Sequence, residues 1–449
     1  MTWFYPVFAI TTEIQEGNPS LILAGVLLSL VMIYFASKIG GELCSRIGLP
    51  SVLGELVGGV IIGMSALKLI IFPESGLSAE DSLIIQLLQT TANLTSGTEE
   101  VVFHSMSEVI SVLSELGVII LLFEIGLKSE IKELIRVGPS AIIVAIGGVA
   151  FPFLLGTLGV FYLFHLPLIP SVFIGAVLTA TSIGITAKVL AELGKLSSEE
   201  GQIIIGAAIL DDILGIIILA VVANLAKTGE VEISQIVYLI ITAATFLIGI
   251  ILIGRLISPW LVTMINGMKT RGSFLLTSIV FAFIFSYIAN MIELEGILGA
   301  FAAGLVLAET EKRRELEKQI IPIADIFVPI FFVCVGAKTD LSVLNPTIPS
   351  NRESLILASF LIVVAIIGKL VTGFTVWGQP HLNKLAIGVG MIPRGEVGLV
   401  FAGVGAATGA FNSSIEAAII VMVIATTFIA PPLLKIVFKD KPFQEETAN

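Results

Sequence analysis

The chain is built from long apolar blocks separated by short polar joints. Thirteen such blocks run near 20–38, 51–71, 107–125, 139–164, 168–192, 201–225, 235–255, 272–291, 294–308, 320–337, 353–377, 384–409 and 414–437. Each approaches the roughly 20 residues of helix needed to cross about 30 Å of hydrocarbon. The pattern predicts an all-α polytopic membrane protein with 13 transmembrane helices. Composition points the same way, with 56% hydrophobic residues, 13% charged residues and a mean hydropathy of +1.04. A soluble domain carries about twice that charge. No basic region and small-residue cleavage site precede the first block, so that block itself is expected to direct insertion, without a cleavable signal peptide.

Charge supplies the orientation, because cytoplasmic joints retain Lys and Arg. Lys38, Arg46, Lys128, Lys132, Arg136, Lys188, Lys195, Arg255, Lys269, Arg271, Lys312, Arg313, Arg314, Lys318, Lys384, Lys435, Lys439 and Lys441 all fall on one side. The other side holds Lys227, Lys338 and Arg352. The expected N-terminus is outside and the C-terminus cytoplasmic, which requires an odd number of crossings. A net charge of −11 argues against nucleic acid as a partner. Much of the acidity lies in 72–106, with Glu74, Glu80, Asp81, Glu99 and Glu100 and no Lys or Arg. That segment reads as an outer loop containing one short amphipathic piece at "SLIIQLLQ". Cys44 and Cys334 are expected at different depths, which disfavours a disulfide. His104, His165 and His381 fall in joints or block ends. No cofactor, metal cluster or catalytic nucleophile constellation is expected, so the chain reads as something other than an enzyme.

Five charges sit where water is not expected. Asp211, Asp212, Lys369, Arg394 and Glu396 lie about eight or more residues from both ends of their blocks, about 12 Å from either boundary at 1.5 Å per residue. A charge at a helix centre costs about 2.5–3.5 kcal/mol on insertion scales and normally faces a bundle interior or a wet cavity. Three acids against two bases leave one negative charge uncompensated. Burial disfavours a bare carboxylate, so it takes up either a proton or a cation. A site that accepts either, but not both, is an exchanger. Adjacent helix positions point about 100° apart, so Asp211 is expected to pair with Lys369 while Asp212 faces the cavity as the competitive site.

Two blocks are interrupted at the same level. "VLTATSIGITAK", 177–188, places Thr179, Thr181, Ser182 and Gly184 at the centre of the fifth block. "GVGMIPRGEVGLV", 388–400, flanks Arg394 with Pro393 and Gly395 in the twelfth. Pro removes a backbone donor and Gly eases unwinding. Thr and Ser also occur in unbroken membrane helices, back-bonded to the preceding turn. Blocks four to six and eleven to thirteen nevertheless share the order helix, interrupted helix, helix, in opposite topology, as inverted repeats do. The hydroxyls of Thr179, Thr181 and Ser182 are expected along a cation path. Arg394 and Glu396 are expected to neutralise half-helix ends. Hard oxygen ligands suit Na⁺ or K⁺, without choosing between them.

Several stretches resemble the second group of monovalent cation:proton antiporters, the Na⁺/H⁺ exchangers and Kef-type potassium transporters. They are "LPSVLGELVGGVIIGMS", "LGVIILLFEIGLK", "LTATSIGITAKVLAELG", "AAILDDILG", "FVPIFFVCVG" and "MIPRGEVGLVFA". The resemblance implies the Na⁺/H⁺ antiporter fold and a homodimer, with a dimerisation domain and a core domain that moves as an elevator. On this chain the dimerisation side takes 1–106 and 226–308. The core takes 107–225, with crossing helix 168–192 and the Asp-Asp helix 201–225, and 309–437, with the Lys369 helix and crossing helix 384–409; 438–449 is a short cytoplasmic tail.

The resemblance further implies ion binding at Asp212, assisted by Asp211 and Thr181, and a Lys369 that pairs with Asp211 and carries a proton. Kef-type systems usually have Gln-Asp where this chain has Asp-Asp, and append a soluble nucleotide-binding domain. Na⁺ is therefore favoured over K⁺, with Li⁺ a further candidate ion. The Asp-Asp pair resembles the electrogenic branch, and Glu396 in "PRGE" departs from the usual pattern. A K⁺/H⁺ exchanger is the nearest rival. An intramembrane aspartyl protease needs its two aspartates on separate helices and a GxGD motif, neither of which is present. A bacterial plasma membrane and an internal energy-transducing membrane impose the same hydropathy.

Overall fold

The structure, a computed structural model, describes residues 19–92, 97–228, 233–266, 272–345, 347 and 349–439. All regular structure among them is helical. The chain divides into two compact units, one comprising Met1–Ile120 and Ile323–Ser342, the other Leu121–Pro322 and Val343–Asn449.

The first unit holds α1 (Pro19–Arg46), α2 (Ser51–Ile62), α3 (Leu83–Ala92), most of α4 (Glu99–Lys128) and the latter part of α12 (Arg313–Ala337). α1 shows why this is a membrane protein. Its exposed positions Leu23, Leu27, Val31, Phe35, Ile39 and Leu43 recur every four residues, while Gly25, Ser29, Ser37 and Gly41 are buried. A helix with large apolar residues outward and small or polar ones inward suits lipid and not water. Gly40 and Gly54 meet backbone to backbone between α1 and α2; a Cβ on either would overlap the other's main chain. The second apolar block was expected to continue to residue 71, but α2 stops at Ile62, where Gly63 turns extended (φ −84°, ψ −162°). Ile70, Ile71 and Phe72 leave the helix to fill the unit's core beside Phe103 and Val333. The amphipathic piece forms α3, which turns Ile84, Ile85 and Leu88 into the same core. Cys44 and Cys334 are free thiols.

The second unit holds α5 (Ile131–Leu163), α6 (Leu168–Val177), α7 (Ile183–Glu192), α8 (Glu199–Thr228), α9 (Ile233–Asn266), α10 (Ser273–Met291) and α11 (Gly296–Ala308). It continues with α13 (Pro349–Gly373), α14 (Lys384–Gly390), α15 (Glu396–Ala407) and α16 (Ser413–Lys439). α5 packs on α6, α8 and α13, and α13 in turn on α14 and α16. Its core joins Phe173, Val177 and Leu178 to Leu361, Phe401 and Met422.

Eight helices among the described residues are long and apolar enough to cross a membrane: α1, α4, α5, α8, α10, α12, α13 and α16. α2 and α11 are shorter, and the fifth and twelfth blocks are each split into two short helices, α6/α7 and α14/α15. The eleventh block ends four residues after Lys369, at Gly373 and not near 377. Gly373 is pressed against the backbone of Lys384 and Gly388, leaving no room for a side chain where α13 meets α14. The N-terminal residues to 18, the loop segment 93–96 and the tail from 440 lie outside the described residues.

Candidate functional site

Both interruptions expected from sequence are real breaks. α6 ends at Val177 and α7 begins at Ile183; α14 ends at Gly390 and α15 begins at Glu396. A helix end leaves carbonyls and amides without intrahelical partners, and buried ones must find others. Here the two breaks supply each other. The Ser182 amide donates to the Pro393 carbonyl at 2.8 Å. The Thr186 hydroxyl donates to Gly390 O at 2.8 Å and the Thr181 hydroxyl to Met391 O at 3.3 Å. Arg394, itself fully buried, donates through Nη2 to Leu178 O at 2.5 Å and through Nη1 to Ala180 O. Nη1 also lies 3.5 Å from Thr181 Oγ1. Its own carbonyl accepts from the Thr427 hydroxyl on α16.

The guanidinium thus sits on the negative end of α6, where freed carbonyls concentrate partial charge. No carboxylate forms an ion pair with it among the described residues. Arg394, expected from sequence to compensate a half-helix end, is placed at one. The side chain of Glu396, to which the same role was assigned, lies outside the described residues. Asn383 fixes the start of α14: its Oδ1 accepts from the Ala386 amide at 3.1 Å, its amide donates to Glu200 at 3.0 Å, and its Nδ2 donates to Val437 O at 2.7 Å.

Asp211 and Asp212 fall within α8, both buried, at 1% and 3% exposure. Lys369 reaches from α13 to place Nζ 3.0 Å from Asp211 Oδ2, and neither side chain of that pair has any exposure. Asp211 Oδ1 has no hydrogen-bond partner among the described residues. The expected pairing of Lys369 with the first aspartate is therefore present in the geometry.

The three hydroxyls assigned to a cation path differ. Thr179 donates to Ala176 O at 2.7 Å, the ordinary back-bond to its own helix. Thr181 is held between Met391 O and Arg394. Ser182 Oγ is buried and makes no hydrogen bond among the described residues. Of the three, Ser182 alone keeps its hydroxyl uncommitted there. Sequence reading missed Thr186 and Thr427, whose bonds join segments far apart in the chain, and Gly148 of α5. A Cβ on Gly148 would lie 3.1 Å from Lys369 Nζ.

Two broken helices that complete each other's hydrogen bonds, packed with a helix carrying buried carboxylates, define a secondary-transporter core. The chain belongs to the family "Sodium/hydrogen exchanger, transmembrane", which it matches over residues 26–440. It is 66% identical over 441 residues, 98% of this chain and 96% of the relative, to the high-affinity Na(+)/H(+) antiporter NhaS3 of Synechocystis sp. (strain ATCC 27184 / PCC 6803 / Kazusa). It is 32% identical to the Na(+)/H(+)-K(+) antiporter GerN of Bacillus cereus, over 92% of this chain and 96% of the relative. Its fold is similar to that of the sodium proton antiporter MjNhaP1 from Methanocaldococcus jannaschii, with a TM-score of 0.59 and 17% identity, covering 93% of this chain and 99% of that one. The protein is an integral, multi-pass membrane protein of a transporter family.

Proposed function

We propose that the protein exchanges Na⁺ for H⁺ across its membrane, with the two ions competing for Asp212. One observation carries this reading: the Lys369 ammonium is committed at 3.0 Å to Asp211, while the next residue along α8 is a second buried carboxylate. Asp212, at 3% exposure, turns over between protonated and cation-bound forms, because low dielectric disfavours an ionised carboxylate. Ser182, with its uncommitted hydroxyl, is the oxygen at the crossing best suited to assist as an ion ligand, with Asp211 and Thr181 secondary.

The cycle is an elevator in which the core bundle of a thirteen-helix protein exposes the site alternately to the two sides of the membrane. The N-terminus is outside and the C-terminus cytoplasmic, in a bacterial plasma membrane or an internal energy-transducing membrane. The protein works as a homodimer, by transport and not by enzymatic catalysis. Lys369 releases a second proton when Asp211 is engaged. Exchange is thereby electrogenic and coupled to voltage at about 2.3 kcal/mol per charge per 100 mV. The identity to NhaS3 favours Na⁺; the likeness to GerN makes K⁺ the ion to test beside it.

The test is cation-driven proton flux in proteoliposomes, with Na⁺, Li⁺ and K⁺ in turn and with and without an imposed potential. Wild type is expected to respond to Na⁺ at the lowest concentration, and folded Asp212→Asn to carry no exchange. A folded Asp212→Asn that exchanges at the wild-type rate defeats the reading; a response to K⁺ at lower concentration than Na⁺ replaces the ion.

A further inference from the structure

The ion pair of Lys369 and Asp211 is walled on one side by bare backbone. A Cβ built on Gly148 would stand 3.1 Å from Lys369 Nζ, 3.7 Å from Met391 Cε and 3.9 Å from Asp211 Oδ1. One α-carbon of α5 thus faces the lysine of α13, the aspartate of α8 and the methionine at the second helix break. Its neighbour Gly147 faces differently: the three atoms nearest a Cβ built there are the Thr375 methyl at 3.3 Å and two carbons of the Phe151 ring. The approach of α5 to α13 is fixed one turn on, where Gly368 packs against Pro152. α5 therefore has little freedom to back away. A methyl group at 148 can be accommodated chiefly by withdrawing the ammonium, at the expense of a 3.0 Å bond between two side chains with no exposure.

We propose that Gly148 is a positioning residue for exchange: the missing side chain sets how far the Lys369 ammonium advances onto Asp211. How firmly the first carboxylate is compensated in turn sets the proton–cation competition at the second. This inference rests on the reading that Asp212 is the exchange site. Buried charges in contact couple strongly to their neighbours, so a displacement of a few tenths of an ångström at this point is felt in function.

The experiment compares Gly148→Ala with Gly147→Ala, which crowds α5 against an apolar methyl. Both are made in the wild type and in Lys369→Ala, and proton flux is read as a function of pH and Na⁺. Gly148→Ala is expected to move the pH midpoint of exchange and change the apparent KM for Na⁺ by about threefold or more, the coupling expected of residues in contact. Gly147→Ala is expected to leave both unchanged, whatever it does to thermal stability. In the Lys369→Ala background the effect of Gly148→Ala should vanish, because the group it displaces is gone. If Lys369→Ala is inactive, the thermal midpoint carries the same cycle: the loss caused by Gly148→Ala should disappear when Lys369 is absent, and a Gly148→Ala chain that folds only in the Lys369→Ala background counts as that disappearance. Equal effects of the two glycine variants on the pH profile, or a Gly148→Ala loss that persists without Lys369, overturn the proposal. Full exchange by Asp212→Asn overturns the underlying reading instead, and is scored separately.

Discussion

The amide of Ser182 donates to the carbonyl of Pro393 across 2.8 Å, joining two helix breaks more than 200 residues apart in sequence. Both ends are where the chain has lost its own helical partners. The Thr186 and Thr181 hydroxyls and the Arg394 guanidinium extend the exchange to Gly390, Met391, Leu178 and Ala180. The crossing is thus held by one main-chain bond and by side-chain donors to main-chain carbonyls.

Removing one of these donors should cost what an unsatisfied buried carbonyl costs. Thr186→Val keeps the shape of the side chain but leaves Gly390 O without its 2.8 Å donor. The expected loss is about 1–3 kcal/mol, read from thermal or chemical unfolding in detergent.

Arg394 is the larger case, because it serves Leu178 O and Ala180 O together and brings charge to the end of α6. Arg394→Gln is expected to destabilise more than Thr186→Val. Arg394→Lys should recover only part of the loss, since an ammonium lacks the planar fork that reaches both carbonyls. Equal stability of Arg394→Lys and wild type in the same unfolding measurement would refute this.

Breaking the Lys369–Asp211 pair from one side strands a charge with no solvent exposure. Lys369→Ala should therefore lose about 3–5 kcal/mol, and the double variant Lys369→Ala with Asp211→Asn should regain much of it. The double-mutant cycle checks this directly. In flux measurements, Lys369→Ala is also expected to lose the response to an imposed potential.

In the segment between α2 and α3, the 2.9 Å hydrogen bond from Lys68 to Asp81, followed by the Ser78 amide, holds the Asp81 carboxyl below its ordinary 3.8. A depressed carboxylate contributes stability above its unfolded value, and loses it as pH falls through the folded one. Acidification below about pH 4 should loosen residues 79–92, seen as faster amide hydrogen exchange there. Lys68→Met should shift that loosening to higher pH, and salt should weaken the contrast, since the pair is open to solvent.

Much was legible in advance because the bilayer makes composition speak. A helix must satisfy its backbone internally, so apolar length alone located the helices. The central charges stood out for the same reason, and the pairing of Lys369 with Asp211 followed from charge and depth. The end of α2 at Ile62 was hidden because Ile70, Ile71 and Phe72 are as apolar in a turn as in a helix; in the structure Gly63 packs closely on Ala337 just past that end, and the three side chains enter the core. The hydroxyls were read by type, and type does not say whether Thr179 faces an ion or its own Ala176 carbonyl.

The sequence by itself determined that this is a helical membrane protein with two aspartates, a lysine and an arginine held away from water, and where its helices break. Only the tertiary structure decided which carbonyls Arg394 serves, that Thr181 is tied to Met391, and that Gly148 borders the ion pair. The physical reason is range. Hydrophobic length and helix breaking are properties of neighbouring residues, whereas hydrogen bonds and close backbone approaches join positions whose separation in the chain carries no trace of the contact.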